Sequence, residues 1–198
     1  HWSTIGYPAD LKASTVPDVA AFFKTYYLPS NATMVIAGDV KPAEVKKLVE
    51  KYFSWIPKGT EPARPQWKEP APITKEIVVK TTDDVQVPKV FISWRGPKKF
   101  TTEEPALDLA ASILGDGKSS RLYKRLVYDE KIAQEVEAGF DGEQLGGTFQ
   151  IEITAKPGVD PQRLIKEVTE EIAKLSAETP KPLELERAQA SHEYGFLA

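Results

Sequence analysis

The sequence predicts a fold of the α+β class, in which amphipathic helices pack on strands. Residues 161–175 carry apolar side chains at helical spacing behind Asp160, a good helix cap, and Pro161, which suits the first helical position. Residues 148–154 alternate between polar and apolar side chains, which is typical of a strand with one dry face. A proline-rich stretch, residues 57–72, separates two such groups of elements.

Two helices and one strand are predicted before the proline-rich stretch. Thr15 and Asp18 have the spacing of a capping box and start a helix over about 16–27, while Pro42 opens a second helix. Between them "TMVIAG", residues 33–38, is a short apolar run ending in glycine and predicts a buried strand. The apolar positions of the two helices are Val19, Phe22, Phe23, Tyr26, Val45, Leu48, Val49, Tyr52 and Phe53.

Two paired strands and a helix are predicted next. "EIVVKT", residues 76–81, and "VQVPKVFISWRG", residues 85–96, have strand composition, and "TDD" between them favours a turn. The stretch 101–117 has threonines suited to a cap, two glutamates in its first turn and Gly115 as a stop. This stretch therefore predicts one capped helix.

A short helix, two strands and two longer helices complete the second group. Ser119 or Ser120 is expected to cap the short helix, and the ranges 133–140 and 146–157 predict the strands. The helix at Pro161 follows, and a last helix begins near Pro182. The apolar stripe of the short helix is Leu122, Leu126 and Val127.

Composition narrows the class of protein. The 198 residues have a formal net charge of -3, so no basic excess favours nucleic-acid binding, and no apolar run approaches the roughly 20 residues of a membrane-spanning helix. The absence of cysteine excludes disulfides, thiol nucleophiles and thiolate zinc sites. The opening "HWSTIGYPAD" lacks Met and the features of a signal peptide, so we expect the chain to be part of a longer protein.

Motifs for catalysis are few. The two histidines, His1 and His192, stand in no HxxEH, HExxH or His-x-His pattern, and His192 is interpreted as a surface or half-buried helix residue. No GxSxG motif is present. "GDGKSSRLY", residues 115–123, places glycines where an anion could bind, but a helix stop, turn and cap explain it without a ligand. The carboxylates of residues 129–143 are expected on a solvated face.

Four stretches carry a family resemblance. They are "TVPDVAAFFKTYYLPSNATMVIAGDVKPAEVKKLVEKYF", "ASILGDGKSSRLYKRLVYDEKIAQEVEA", "GGTFQIEITAKPG" and "ELERAQ". Together they resemble the insulinase-like (pitrilysin) zinc metallopeptidases, a family that includes the mitochondrial processing peptidase and the core subunits of respiratory complex III. The resemblance implies two-layer α+β domains of sheet and helices, with two similar domains in each half of a clamp that encloses a peptide.

The resemblance also implies a domain assignment. Residues 1–56 would be the C-terminal part of a first, catalytic-type domain, 57–72 the interdomain linker, and 73–198 a second, non-catalytic domain truncated at its C-terminus. In the family, an HxxEH motif and a further glutamate bind zinc and activate water in the first domain, upstream of the part matched here. Zinc is therefore expected in the parent protein, and no catalytic residue or metal site is expected in this chain, whose enzyme status stays open.

One departure from the family pattern concerns substrate binding. Many relatives read "LRExxGLAYxV", whose arginine and tyrosine point at the substrate backbone; here Val127 and Gln134 occupy those two positions. Arg121 and Tyr123 lie earlier and are kept as candidate substrate-binding residues. In two-chain bacterial relatives the zinc-bearing subunit tends to lack the pair, so the resemblance implies a second related subunit that carries it.

The leading hypothesis is a zinc metalloendopeptidase that hydrolyses peptides in a clamshell chamber, of which this chain forms a non-catalytic wall. The alternative is a non-catalytic structural or peptide-holding homologue, like the complex III core subunits, and a third hypothesis is an unrelated α+β interaction domain. The compartment is left open, with export or the bacterial periplasm as the leading interpretation by analogy with relatives.

The resemblance has one physical consequence for residues 1–56. If strands that normally cover this part precede the chain, its apolar side chains are expected to be partly uncovered and to favour dimerisation, segment exchange or flexibility. The side chains concerned are Phe22, Phe23, Val45, Leu48 and Phe53.

Overall fold

The computed structural model describes residues 4–197, and it divides the chain into two structural units between Ile77 and Val78. Unit 1 contains helices and extended chain. Unit 2 contains an antiparallel sheet with helices packed on one face. The predicted α+β class and its arrangement of a sheet layer with a helix layer are confirmed.

The described part of unit 1 contains three α-helices, α1 (Pro8–Ala13), α2 (Val16–Tyr26) and α3 (Pro42–Phe53), and a short 3-10 helix, Pro29–Asn31. The capping box of α2 is present, because the Thr15 backbone N donates to Asp18 Oδ2 at 2.8 Å and the Thr15 hydroxyl accepts from Asp18 N at 3.4 Å. The helices predicted over 16–27 and from Pro42 are therefore confirmed. The sequence pattern did not indicate α1, which is short and lacks an apolar stripe.

The strand predicted over residues 33–38 does not form. Residues 32–37 have no regular secondary structure, and Met34, Val35 and Ile36 are exposed. The physical reason is the lack of a pairing partner: a strand needs a neighbouring ladder of backbone groups, and the described part of unit 1 holds no other strand.

The sheet of unit 2 has the order β1-β3-β2, with β1 (Lys89–Gly96), β2 (Ala133–Gly142) and β3 (Gly147–Ala155), and both pairs are antiparallel. The strands predicted within 133–140 and 146–157 are confirmed. As predicted, Phe149 and its neighbours at alternate positions, Ile151 and Ile153, are buried. Rows of cross-strand neighbours therefore present one apolar face and one polar face.

The predicted pairing of residues 76–81 with 85–96 is wrong. Residues 76–81 form no strand and Ile77, Val78 and Val79 are exposed, whereas β1 pairs with β3, more than fifty residues away. Pairing with β3 buries Val90 against Ile153. A local hairpin between residues 76–81 and 85–96 would lack this apolar contact. Long-range packing thus outweighs the local turn signal at "TDD".

Three helical segments pack on the apolar face of the sheet: α4 (Glu104–Gly115), a π-helix (Tyr123–Asp129) and α5 (Pro161–Ala177). The last helix, α6 (Pro182–Leu197), packs on α4. Leu122 and Leu126 are fully buried and Val127 is partly buried, so the predicted packing stripe is confirmed. A Cβ at Gly115 would lie 2.5 Å from the Ala138 backbone N, so glycine permits the close contact of α4 with β2.

Two predicted caps are wrong and one is confirmed. Glu103 precedes α4 without a side-chain cap, and the Thr101 hydroxyl donates instead to the Lys98 carbonyl at 3.0 Å. Neither Ser119 nor Ser120 caps the next helix; the Ser120 hydroxyl donates to the Gly117 carbonyl at 2.8 Å. Asp160 caps α5 by accepting from Gln162 N at 3.0 Å.

Candidate functional site

The segment 119–136 runs through the π-helix into β2 and carries the residues that the sequence singled out. Leu122 and Leu126 anchor this segment in the core of unit 2. Its arginines point the other way, towards glutamates of α5 and α6.

Arg121 forms a two-pronged ion pair with Glu184 of α6. Its Nε donates to Glu184 Oε1 at 2.9 Å and its terminal nitrogen donates to Oε2 at 2.7 Å, while Glu171 lies 3.9 Å away. The Arg121 hydrogen bonds hold the pKa of Glu184 below its usual range, despite partial burial. The guanidinium thereby joins the start of the π-helix to α6.

Arg125, which is not among the candidate substrate-binding residues, makes the larger cluster. Its guanidinium donates to Glu130 at 3.1 Å, Glu170 at 2.6 Å and Glu171 at 3.4 Å, and also pairs with Glu167. Glu167, Glu170 and Glu171 recur at helical spacing on α5, and this row of three glutamates was the available sequence signal.

Two neighbouring carboxylates show how the cluster shifts pKa values. Burial raises the pKa of Glu130, but hydrogen bonds from Arg125 and Arg163 outweigh burial and hold that pKa below its usual range. The hydrogen bond from Arg125 lowers the pKa of Glu170. Ionised glutamates and arginines therefore connect the π-helix to α5 at neutral pH.

The other sequence-predicted positions lie apart from this cluster. Tyr123 and Val127 are partly buried against the core, and Gln134 is exposed near the start of β2, where the register of the strand pair shifts. Val127 therefore has a packing role at the position where the family pattern has arginine. The proposed substrate roles of Arg121 and Tyr123 stay predictions.

The face of the sheet opposite the helices is polar and open to solvent. Glu137 stands directly opposite Glu152, and Lys89 pairs with Glu152 across the β1-β3 ladder. The hydrogen bond to Glu152 raises the pKa of Lys89. The predicted exposure of Glu135 and Glu137 is observed, and Phe91 stands beside them with its ring open to solvent. The face thus offers carboxylates, an amine and one aromatic ring.

Residues 4–197 show neither a metal site nor a catalytic arrangement around a histidine. His192 is exposed on α6, with Nε2 3.3 Å from the Ser112 hydroxyl, and His1 lies outside the described residues. In the described part of the chain, no group of three or more His, Cys, Asp or Glu could hold a metal ion. These residues do not fit a zinc site. Among them, no helix combines the length and apolarity needed to cross a membrane.

Comparison with known proteins identifies a family and several relatives. The family described as "Peptidase M16 inactive domain" matches residues 14–191. "Zinc protease PqqE" of Helicobacter pylori is 28% identical over 200 residues, covering 100% of this chain and 45% of its own length. "Probable mitochondrial-processing peptidase subunit beta, mitochondrial" of Arabidopsis thaliana is 26% identical over 162 residues, covering 77% of this chain and 30% of its own.

Two solved structures extend the comparison to the fold. A crystal structure of a protease from Helicobacter pylori superposes with a TM-score of 0.76 and 26% identity, covering 100% of this chain and 48% of that one. A peptidase M16 inactive domain from Pseudomonas fluorescens, at 20% identity and a TM-score of 0.74, covers 96% of this chain and 46% of that one, and shows the shared fold. The chain spans less than half the length of these relatives.

Proposed function

The chain belongs to the peptidase M16 inactive-domain family, and on this premise we propose that it forms a non-catalytic wall of a chamber in which a zinc metalloendopeptidase hydrolyses peptides. The observation that carries the proposal is the family match over residues 14–191. The lack of a metal-binding group in the described residues supports a wall rather than a catalytic centre.

The sheet of unit 2 supports the wall role physically. Its helices cover one face, and the opposite face is polar and open. A wall that contacts many different peptides needs a wide surface with adaptable hydrogen-bonding groups rather than a deep apolar pocket. Lys89, Glu137 and Glu152 provide such groups on the sheet, and Phe91 adds an exposed aromatic ring.

The chemistry would be supplied outside this chain. In the family that the sequence resembles, a zinc ion bound by HxxEH and a further glutamate polarises the water that attacks the peptide bond. The residues described here hold and orient the peptide in this proposal, and they take no proton from it. The Arg121 guanidinium donates to Glu184 and lies near Glu171. To bind a peptide, Arg121 would therefore have to release these carboxylates.

We also propose a second related subunit as partner. Val127 and Gln134 stand where many relatives have an arginine and a tyrosine that hold the peptide backbone. Because a valine packed on the core cannot donate a hydrogen bond to a peptide carbonyl, that contact would have to come from another chain. The same observation favours a second candidate function, in which the protein is a non-catalytic, peptide-holding subunit.

A pair of assays tests the proposal. Residues 1–198 with added Zn²⁺ are expected to hydrolyse no fluorogenic peptide, and hydrolysis by this chain that EDTA abolishes would contradict the proposal. In the longer protein assembled with its partner, Glu137→Lys on the open sheet face is expected to change KM more than kcat. Glu193→Lys, an equal charge change on exposed α6, is the matched control and is expected to leave both constants unchanged.

These assays also separate the two candidate functions. An assembled pair that cleaves peptide supports the peptidase chamber. A pair that binds peptide without cleaving it, with Zn²⁺ present, favours the peptide-holding subunit instead.

A further inference from the structure

A polar groove lies between α4 and α6 of unit 2, closed at one end by the loop 116–120. Its volume is about 250 Å³. Ile113 and Ala188 form its buried floor, and Ala188 leaves space because its side chain is a single methyl group. This volume is smaller than that of a typical drug-sized pocket, about 300–1,000 Å³.

Three charged side chains line this groove, and two of them, of opposite sign, do not pair with each other. Asp116 follows the last residue of α4, and Arg187 lies on α6. Within residues 4–197, neither side chain forms an ion pair or hydrogen bond, and this is also true of the Ser119 and Ser191 hydroxyls. By contrast, the nearby Glu184 carboxylate is occupied by Arg121 and by the Lys181 backbone N at 2.9 Å.

The charges determine which ligand fits. The guanidinium of Arg187 offers a planar fork for a carboxylate, and the two serine hydroxyls can add hydrogen bonds. Asp116 lies at the carboxyl end of α4, where the helix dipole also favours a positive group. The Asp116 carboxylate would repel a lone inorganic anion in this groove, and the Arg187 guanidinium would repel a lone metal cation.

We propose that this groove binds a small zwitterion, an amino acid or a dipeptide, with its carboxylate on Arg187 and its ammonium group at Asp116. The Ser119 and Ser191 hydroxyls bind the carboxylate from the sides. This site is separate from the polar sheet face that the proposed function assigns to the peptide substrate, and it requires no zinc.

A titration of the chain followed by nuclear magnetic resonance tests the ligand class. The ¹⁵N-labelled chain of 198 residues is titrated with alanyl-alanine, with N-acetyl-alanine, which lacks the ammonium group, and with alanine amide, which lacks the carboxylate. Alanyl-alanine is expected to give saturable shifts confined to residues 112–120 and 184–192. Each single-charge probe is expected to bind at least about tenfold more weakly, since it loses one charge-assisted contact.

Two variants test the assigned contacts. Arg187→Met and Asp116→Asn are each expected to weaken alanyl-alanine binding by at least about tenfold. Both positions are exposed, so the substitutions leave the core intact, which a thermal melt verifies. Arg64→Met and Asp83→Asn make the same chemical changes elsewhere on the surface and are expected to leave binding unchanged.

Three results would overturn the proposal. One is the lack of saturable shifts with alanyl-alanine at residues 112–120 and 184–192. Another is equal affinity for alanyl-alanine and N-acetyl-alanine, which would remove the role of Asp116 and the zwitterion with it. The third is unchanged binding in folded Arg187→Met protein.

Discussion

At the scale of single residues, Arg125 makes the densest set of polar contacts in the described chain. One guanidinium faces carboxylates from Glu130 and from three glutamates of α5. Only 12% of the Glu167 side chain and 11% of the Glu171 side chain are exposed, so water solvates the charges of these two carboxylates poorly. Removing the arginine would leave both carboxylates close together without their main counter-charge.

We therefore expect Arg125→Met to destabilise the folded chain by about 3 kcal/mol, because breaking a largely buried ion pair leaves uncompensated charge. Urea unfolding followed by circular dichroism measures the change. Arg163→Met is the matched control: Arg163 pairs with Glu130 at the surface, and its loss is expected to cost less than about 1 kcal/mol. Equal costs for the two variants would show that burial does not strengthen the Arg125 cluster.

At the scale of elements, α6 is held to unit 2 by few contacts. Ala188 is its one buried residue in the described chain, and Leu185 is half-buried, so little apolar surface of α6 is covered. The Arg121–Glu184 pair joins α6 to the π-helix, and the Ser112–His192 contact joins it to α4. The attachment of α6 therefore depends on charge as well as on apolar packing.

This attachment predicts a pH dependence. Arg121 lowers the pKa of Glu184 in the folded chain below the unfolded value of about 4.3, so the pair contributes stability above that value. The contribution is lost as the pH falls through the folded pKa of Glu184. After correction for intrinsic exchange, the amide hydrogens of α6 are expected to exchange faster as the pH falls from 5 to about 3, because α6 opens more often.

Glu184→Gln provides the comparison for this pH effect. Its α6 should already exchange faster than wild type at pH 5, and the remaining change on acidification, after correction for intrinsic exchange, should be smaller. An identical pH response in both proteins would assign the acid sensitivity to other carboxylates, such as Glu130 and Glu170.

At the scale of the whole molecule, unit 1 exposes much of its apolar surface. Phe22, Phe23, Tyr26 and Tyr27 form a cluster of rings on and just after α2, with centroid separations from 4.3 to 6.2 Å. The exposed fraction of these residues lies between 47% and 66%. The expected exposure is observed for Phe22, Phe23, Leu48 and Phe53, and Val45 is half-buried. A contiguous apolar surface of this kind favours association.

We expect the chain to self-associate as its concentration rises, with unit 1 at the contact. Multi-angle light scattering over a concentration series measures this association. Phe22→Ser with Phe23→Ser is expected to shift the equilibrium towards monomer. Phe196→Ser, which removes an isolated exposed ring on α6, is the control and should leave the equilibrium unchanged. A monomer at every concentration with a rigid unit 1 would contradict the expectation.

The sequence by itself determined the elements whose signals are local. The capping box at Thr15, the prolines that open α3 and α5, the Asp160 cap and the alternation of β3 all depend on residues within a few positions of one another. The same is true of the packing of Leu122 and Leu126. The family, too, could be identified from motifs in the linear chain.

The tertiary structure alone decided the pairings between distant residues. Residues 33–38 and 76–81 have the composition of strands but lack a partner ladder, while β1 found its partner in β3. The guanidinium of Arg121 met Glu184 sixty-three residues later, and Asp116 came to share a groove with Arg187. The physical reason is that ladders, ion pairs and grooves depend on which distant surfaces the core brings together, and a local pattern does not contain that information.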